Sequence, residues 1–171
     1  WRQLPNPVRT RNIYNRVEDE VIEALCTAVK NYYPRLSHRY YGLKARWFNK
    51  KRINYWDRNA PVPFQVDKFY DWKLAKNIVL EAYNSFSPEM GKIANKFFVN
   101  SWIDAPTRKG KQPGAFSAST VPSVHPYILL NYQGKMRDVS TLAHELGHGI
   151  HQYLAAEQGQ FNSSTPLTLS E

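Results

Sequence analysis

The chain has little cysteine and no long apolar run. Its 171 residues include one cysteine, Cys26, so an internal disulfide is excluded and nothing indicates an oxidising compartment. Cys26 lies in the apolar pattern of a predicted helix, which predicts a buried structural thiol. No apolar stretch approaches the roughly 20 residues that cross a bilayer, and the opening WRQLPNPVRT lacks the apolar core of a secretory signal. We therefore expect a cytoplasmic protein with no membrane partner.

Acidic residues are also scarce relative to basic ones. Lysine and arginine total 23 against 14 aspartates and glutamates, a net charge of +9. The positive residues are scattered, and the two clusters, Lys50–Arg52 and Arg108–Lys111, are too short to form a basic tail. The pattern favours a solvated positive surface, or the exposed half of a larger protein whose charges are better balanced, over a nucleic-acid partner. A basic module that binds nucleic acid or protein and carries a structural metal site is the alternative.

The order of patterns predicts a mainly α fold with a small antiparallel β element. Apolar residues recur at helical spacing over 15–33 and 35–48, and Pro34 separates the two helices. Two strands are expected at 115–119 and 125–132, paired as an antiparallel ribbon. We expect 1–171 to be a single segment, with a helical part to about residue 102, a β-ribbon region over 103–137, and metal-site helices over 138–171.

Capping residues predict where the later helices begin. Ser87 is the expected N-cap of a helix that starts at Pro88, and Asp138 the expected N-cap of a helix over 139–157 that ends before Gly159. Ser164 to Pro166 marks a further helix start close to the last residue.

The helix after Asp138 contains the motif His144-Glu145-Leu146-Gly147-His148. Residues four apart share a helix face, so two imidazoles can reach one zinc ion at about 2.0–2.1 Å each. Glu145 is about a quarter-turn around from His144 and flanks the open side of such an ion. It can act as a base towards a water activated by zinc and then return the proton to the leaving amine.

Two further features favour a catalytic zinc site over a helix whose histidines are merely hydrogen-bonded. A strand pair precedes the helix, and Gly147 and Gly149 lie in its interior. Each glycine costs about 1 kcal/mol relative to alanine in a helix, so a close neighbour is expected at these positions.

A catalytic zinc ion takes three protein ligands and leaves one position open. His151 lies seven residues after His144, but one straight helix cannot place three side chains around one ion, and the HExxHxxGxxH pattern with its later third histidine is absent. Glu157 belongs to the same helix and cannot fold back. Glu171, on the next helix, is the best candidate for the third ligand.

The segment DVSTLAHELGHGIHQYLA, followed by TPLTLSE, resembles the oligoendopeptidase F group of the thimet-oligopeptidase-like zinc metallopeptidases. The resemblance extends over the chain from about Lys44 onward, through the segments INYWDRNAP, FSPEMGKIANKFF, WIDAP, GKQPGAFS and HPYILLNYQGK. It implies a zincin-type catalytic core in a mainly helical metallopeptidase that cleaves short peptides inside a deep channel. It also implies zinc ligands at His144, His148 and Glu171, a general base at Glu145, and no ligand role for His151.

Zincin architecture also suggests a role for the GAFS segment. An edge strand before the metal helix commonly pairs with an extended peptide, so backbone groups of Gly114, Ala115 and Phe116 are candidates for substrate binding. A purely structural strand is the alternative.

The resemblance implies a longer protein, because members of the group are several times the length of this chain. Their later section supplies histidine and tyrosine side chains for substrate and oxyanion binding. The remainder of the same polypeptide is therefore an expected partner. We expect the isolated 171-residue chain to bind zinc weakly or not at all, and to lack peptidase activity.

Overall fold

The computed structural model describes residues 3–64 and 68–170. The described residues form two compact units. One comprises 3–64 with 166–169, and the other comprises 68–165 with 170. Across these described ranges, no helix combines the length and apolarity needed to cross a membrane.

The chain is mainly helical with one small sheet, as predicted. In chain order the helices and strands are α1 Pro7–Tyr14, α2 Asp19–Tyr32, α3 Ser37–Trp47, α4 Trp72–Phe86, α5 Pro88–Val99, β1 Ile103–Pro106, β2 Phe116–Ala118, β3 Tyr127–Tyr132, α6 Met136–Ala155 and α7 Leu167–Ser170. Two short 3₁₀ helices, Tyr55–Asn59 and Ala156–Gln158, complete the described elements.

The helices α2 and α3 match the two predicted from apolar spacing, but α2 is not buried. None of its residues is buried, and Val21, Leu25 and Val29 on its apolar side are exposed. Cys26 is exposed as well. The prediction of a buried thiol is therefore wrong, because periodicity indicates which face is apolar and does not indicate whether another element covers that face.

The sheet has the strand order β1-β3-β2, so β2 lies at an edge. The antiparallel pairing of β2 with β3 is confirmed, with Phe116 opposite Leu129 and Ala118 opposite Tyr127. In addition β1 pairs with β3 in parallel, which makes the sheet mixed. The four residues of β1 are not among the predicted strands, because IDAP is too short to show a strand period.

The core of the second unit lies where α4, α5, α6 and the sheet meet. Its fully buried large side chains include Phe97 from α5 and Ile128 from β3. Helix α6 contributes Leu142, Leu146 and Ile150, which recur every four residues and so share one face. This apolar face holds α6 against the core and leaves His144 exposed on another side of the helix.

Helix α6 begins earlier than the predicted cap. Its first residue is Met136, so Asp138 is the third residue of the helix and its prediction as the N-cap is wrong. The Asp138 carboxylate accepts hydrogen bonds from the backbone N–H groups of Gln133 (2.9 Å) and Lys135 (3.0 Å). An acid in the first turn that reaches back to the preceding residue stabilises the start as a cap would.

Two other predicted helix boundaries, at Ser87 and Gly159, are confirmed. Ser87 is the N-cap of α5, and its hydroxyl accepts from the N–H of Met90 at 3.4 Å. Gly159 follows the last helical turn with a positive φ of 78°, a conformation that glycine adopts without strain.

Candidate metal centre

The two motif histidines present the same ring atom to each other. Nε2 of His144 and Nε2 of His148 lie 3.0 Å apart, and the ring planes meet at 86°. The pair results from helix geometry, since the residues are four apart on α6. An ion about 2.0–2.1 Å from each nitrogen fits between them. The two side chains therefore fit a zinc ion as a pair of imidazole ligands.

Glu145 lies between the histidines in sequence, on the edge of the core face of α6. Its side chain is only 8% exposed, while His144 is exposed and His148 is half-buried. Glu145 also lines a cavity of about 350 Å³. A carboxylate in the wall of a cavity can contact a molecule that enters the cavity.

The other candidate ligands lie elsewhere or outside the described chain. Nε2 of His151 is 3.5 Å from Oγ1 of Thr165, and Glu157 lies in the short 3₁₀ helix after α6. Glu171 lies outside the described residues, so the predicted third ligand has no described position. Within residues 3–64 and 68–170, no group of three or more histidine, cysteine, aspartate or glutamate side chains is placed to hold a metal ion.

Both interior glycines of α6 lie against neighbouring side chains, as predicted. A Cβ added at Gly147 would lie 3.1 Å from the hydroxyl oxygen of Tyr83, and one at Gly149 would lie 2.8 Å from the ring of Phe97. Phe97 is completely buried. The glycines thus allow α4 and α5 to approach the motif closely, which explains why α6 tolerates their low helix propensity.

We expect Gly149→Ala to lower the free energy of unfolding. Overpacking against the buried Phe97 ring costs about 1–3 kcal/mol, which outweighs the ~1 kcal/mol that alanine gains over glycine in a helix. Gly42→Ala in α3 is the matched control, because a Cβ there meets nothing within 4 Å. It should stabilise the protein slightly. Urea unfolding measures both changes, and a stabilised Gly149→Ala variant would contradict the packing argument.

The cavity beside Glu145 brings together residues that are distant in sequence. Gly114 and Ala115, two of the three predicted substrate-binding residues, line it together with Arg137, Asp138 and Thr141. Phe116 does not. It lines a separate cavity of about 480 Å³ with Trp102 and Tyr127. Sequence reasoning missed Arg137 and Thr141, although their four-residue spacing to Glu145 places all three side chains along one side of α6.

Hydrogen bonds hold the segment before β2 in place. The Asn131 side-chain amide donates to the carbonyls of Gln112 and Gly114, each at 2.9 Å. Edge strand β2 is tied to α6 by the Ser117 hydroxyl, which donates to Oε1 of Gln152 at 2.9 Å. The distance between Gly114–Ala115 and the motif helix is therefore maintained by specific contacts.

An ion-pair cluster orders the start of the same connection. Arg108 donates to both carboxylate oxygens of Asp104, and Nζ of Lys111 lies 3.1 Å from that carboxylate. Hydrogen bonding from Arg108, assisted by Lys111, lowers the pKa of Asp104 to about 2. The carboxylate therefore stays charged and paired over the whole neutral range.

Comparison with known proteins covers nearly all of this chain but only part of each relative. The model of peptidase family M3 matches residues 9–171. Oligopeptidase PepF of Bacillus subtilis is 28% identical over 139 residues, which is 81% of this chain and 20% of that protein. An oligoendopeptidase F homolog of Borreliella burgdorferi is 29% identical over 162 residues, 94% of this chain and 27% of the relative.

Solved structures show the same fold. A Chlamydophila abortus protein assigned as a peptidase superposes with a TM-score of 0.77 at 27% identity, over 99% of this chain and 28% of its own. PZ peptidase A, solved with an inhibitor, superposes with a TM-score of 0.76 at 19% identity, over 90% of this chain and 28% of its own. The chain thus spans between a fifth and three-tenths of these relatives' length. By the family match over 9–171, the chain belongs to peptidase family M3.

Proposed function

We propose that these residues form the catalytic segment of a zinc metalloendopeptidase that hydrolyses short oligopeptides. The observation that carries the proposal is the 3.0 Å approach of the His144 and His148 Nε2 atoms beside the nearly buried Glu145. Membership of peptidase family M3 and the similarity to proteins named oligoendopeptidase F support peptide hydrolysis. His144, His148 and Glu171 hold the metal in this proposal, and Glu145 is the general base.

A zinc ion held by these residues would supply Lewis acidity towards a water and the scissile carbonyl. The part of Glu145 in the reaction is proton transfer. Its carboxylate accepts a proton from the attacking water and donates it to the nitrogen of the leaving amine. Its burial suits this role, since a carboxylate shielded from solvent keeps a defined position relative to the reacting atoms.

The peptide lies in the cavity that Gly114, Ala115 and Glu145 line in common. Strand β2 is an edge strand, and β-addition lets an extended peptide pair with such an edge. The carbonyl of Gly114 already accepts from Asn131 and that of Ser117 from Gln152. Ala115 follows Gly114 and, unlike Phe116, lines this cavity, so it is the best placed backbone for the peptide. In this proposal Phe116, which lines the separate cavity with Trp102 and Tyr127, contacts a side chain of a longer substrate.

Asn131→Ala tests the substrate-binding part of the proposal. The variant loses both hydrogen bonds that hold Gln112 and Gly114, so we expect KM to rise about threefold to tenfold, the equivalent of one net hydrogen bond. Zinc content and kcat should change little. Asn95→Ala, at an exposed position on α5, is the control. An unchanged KM in Asn131→Ala would argue that β2 is purely structural.

The proposal as a whole is tested on the full-length gene product that contains this sequence. Purified protein should cleave a quenched fluorescent peptide, lose that activity to a chelator and regain it with Zn²⁺. The alternative, a basic binding module with a structural metal, predicts instead salt-dependent binding of nucleic acid and no cleavage. We keep two further expectations: a cytoplasmic location, and absence of activity in the isolated 171-residue segment.

A further inference from the structure

Tyr83 of α4 contacts the backbone of the motif helix at one point. Its hydroxyl donates a 2.8 Å hydrogen bond to the carbonyl oxygen of Ala143, which is 60 residues away in sequence. The side chain is half-buried, and this burial raises the pKa of Tyr83. The hydroxyl therefore keeps its proton and remains a donor at neutral pH.

The contact lies on the turn from which both metal-binding histidines project. Ala143 directly precedes His144, and Gly147 directly precedes His148. The hydroxyl of Tyr83 donates to the carbonyl of Ala143, and it would be 3.1 Å from a Cβ added at Gly147. Gly147 is thus the residue that lets the hydroxyl reach the helix backbone.

Core packing alone does not fix this turn. Leu142, Leu146 and Ile150 hold α6 through apolar contacts, which are non-directional. A hydrogen bond is directional, because it weakens steeply when the donor angle or distance changes. The Tyr83 bond therefore supplies a positional restraint that packing lacks.

We propose that Tyr83 is a positioning residue that fixes the metal-binding turn of α6 through the carbonyl of Ala143. This inference deepens the proposed function and rests on it. With the restraint in place, His144, His148 and Glu145 keep the mutual geometry that metal binding and proton transfer require. Groups behind the ligands that orient them typically change metal affinity about 10–100-fold when removed.

Three variants separate positioning from stability, measured in the full-length gene product. Tyr83→Phe removes only the hydroxyl. Gly147→Ala places a methyl group against that hydroxyl. In the double variant the hydroxyl is absent, so the methyl group has room. Alanine forms helix better than glycine, so it should restore resistance to urea. The hydrogen bond stays absent in the double variant, so function should not recover.

We expect Tyr83→Phe and the double variant to bind Zn²⁺ about tenfold more weakly in a chelator competition. This is the low end of the effect of removing a group that orients the metal ligands. The visible absorption spectrum of the Co²⁺-substituted protein should change in both variants. We expect kcat to fall by a similar factor with KM changed less than about twofold, because the substrate-binding strand is untouched. Tyr153→Phe is the control. It removes a hydroxyl from α6 that accepts from Lys96 at 2.7 Å, away from the motif turn.

The outcomes are distinct. If Tyr83→Phe lowers only the resistance to urea and leaves Zn²⁺ affinity, the Co²⁺ spectrum and kcat as in the wild type, Tyr83 is structural and the inference is overturned. Recovery of Zn²⁺ affinity in the double variant, together with its stability, would overturn it as well. A wild-type protein that binds no Zn²⁺ rejects the proposed function, and this inference with it.

Discussion

Glu145→Gln is expected to lower kcat for peptide cleavage by about 10²–10⁴-fold, the usual contribution of a general base. Glutamine has nearly the shape of glutamate, so it fits the same position, where only 8% of the glutamate is exposed. Its amide cannot accept the proton from the attacking water. The loss should therefore appear in kcat, while KM and zinc content remain close to those of the wild type.

The readout is steady-state cleavage of a quenched fluorescent peptide, with zinc measured on the same preparation. Cleavage at the wild-type rate would remove Glu145 from the mechanism. Zinc lost along with activity would show instead that Glu145 supports the metal site. If the protein is instead a basic binding module, its affinity for nucleic acid or protein should not change in Glu145→Gln.

The second large effect concerns the histidines. His144→Ala and His148→Ala should each weaken zinc binding by more than about 100-fold, since even removal of an outer partner of a ligand costs about 10–100-fold. Activity should fall with the metal. The two Nε2 atoms lie 3.0 Å apart, so loss of either ring leaves one imidazole and the proposed Glu171 carboxylate, one ligand fewer than a catalytic zinc ion takes.

His151→Ala is the matched control, because it removes an imidazole from the same helix. Its Nε2 is 3.5 Å from the Thr165 hydroxyl and not in the histidine pair. Zinc affinity should stay within about twofold of the wild type, well below the effect of removing even an outer partner of a ligand. A His151→Ala variant that loses zinc, or a His148→Ala variant that retains it, would contradict the ligand assignment.

Local signals in the sequence predicted the motif helix and much of its surroundings. The four-residue spacing of His144 and His148 alone places both rings on one face of α6. The glycines at 147 and 149 indicated close neighbours, and these proved to be Tyr83 and Phe97. The capping sequence at Ser87 and the antiparallel pairing of β2 with β3 were predicted for the same reason, since each depends on residues close together in the chain.

The sequence predictions that the structure contradicts or that were missed also share one cause. Cys26 is exposed although its helix is amphipathic, and Ile103–Pro106 forms a parallel strand that no local pattern indicates. Asp138 supports the start of α6 from its third position instead of its cap. Each outcome depends on which other segment lies against the residue, and a pattern confined to one segment carries no information on that.

The sequence by itself determined the arrangement of the motif side chains: two imidazoles and a carboxylate at helical spacing, because helix geometry is set by neighbouring residues. Only the tertiary structure decided what surrounds them. It placed Gly114 and Ala115 on the cavity that Glu145 lines, and the Tyr83 hydroxyl on the carbonyl of Ala143. Those contacts join residues some 30 and 60 positions apart. They form because burial of the core brings α4, β2 and α6 together, and not because of any local preference.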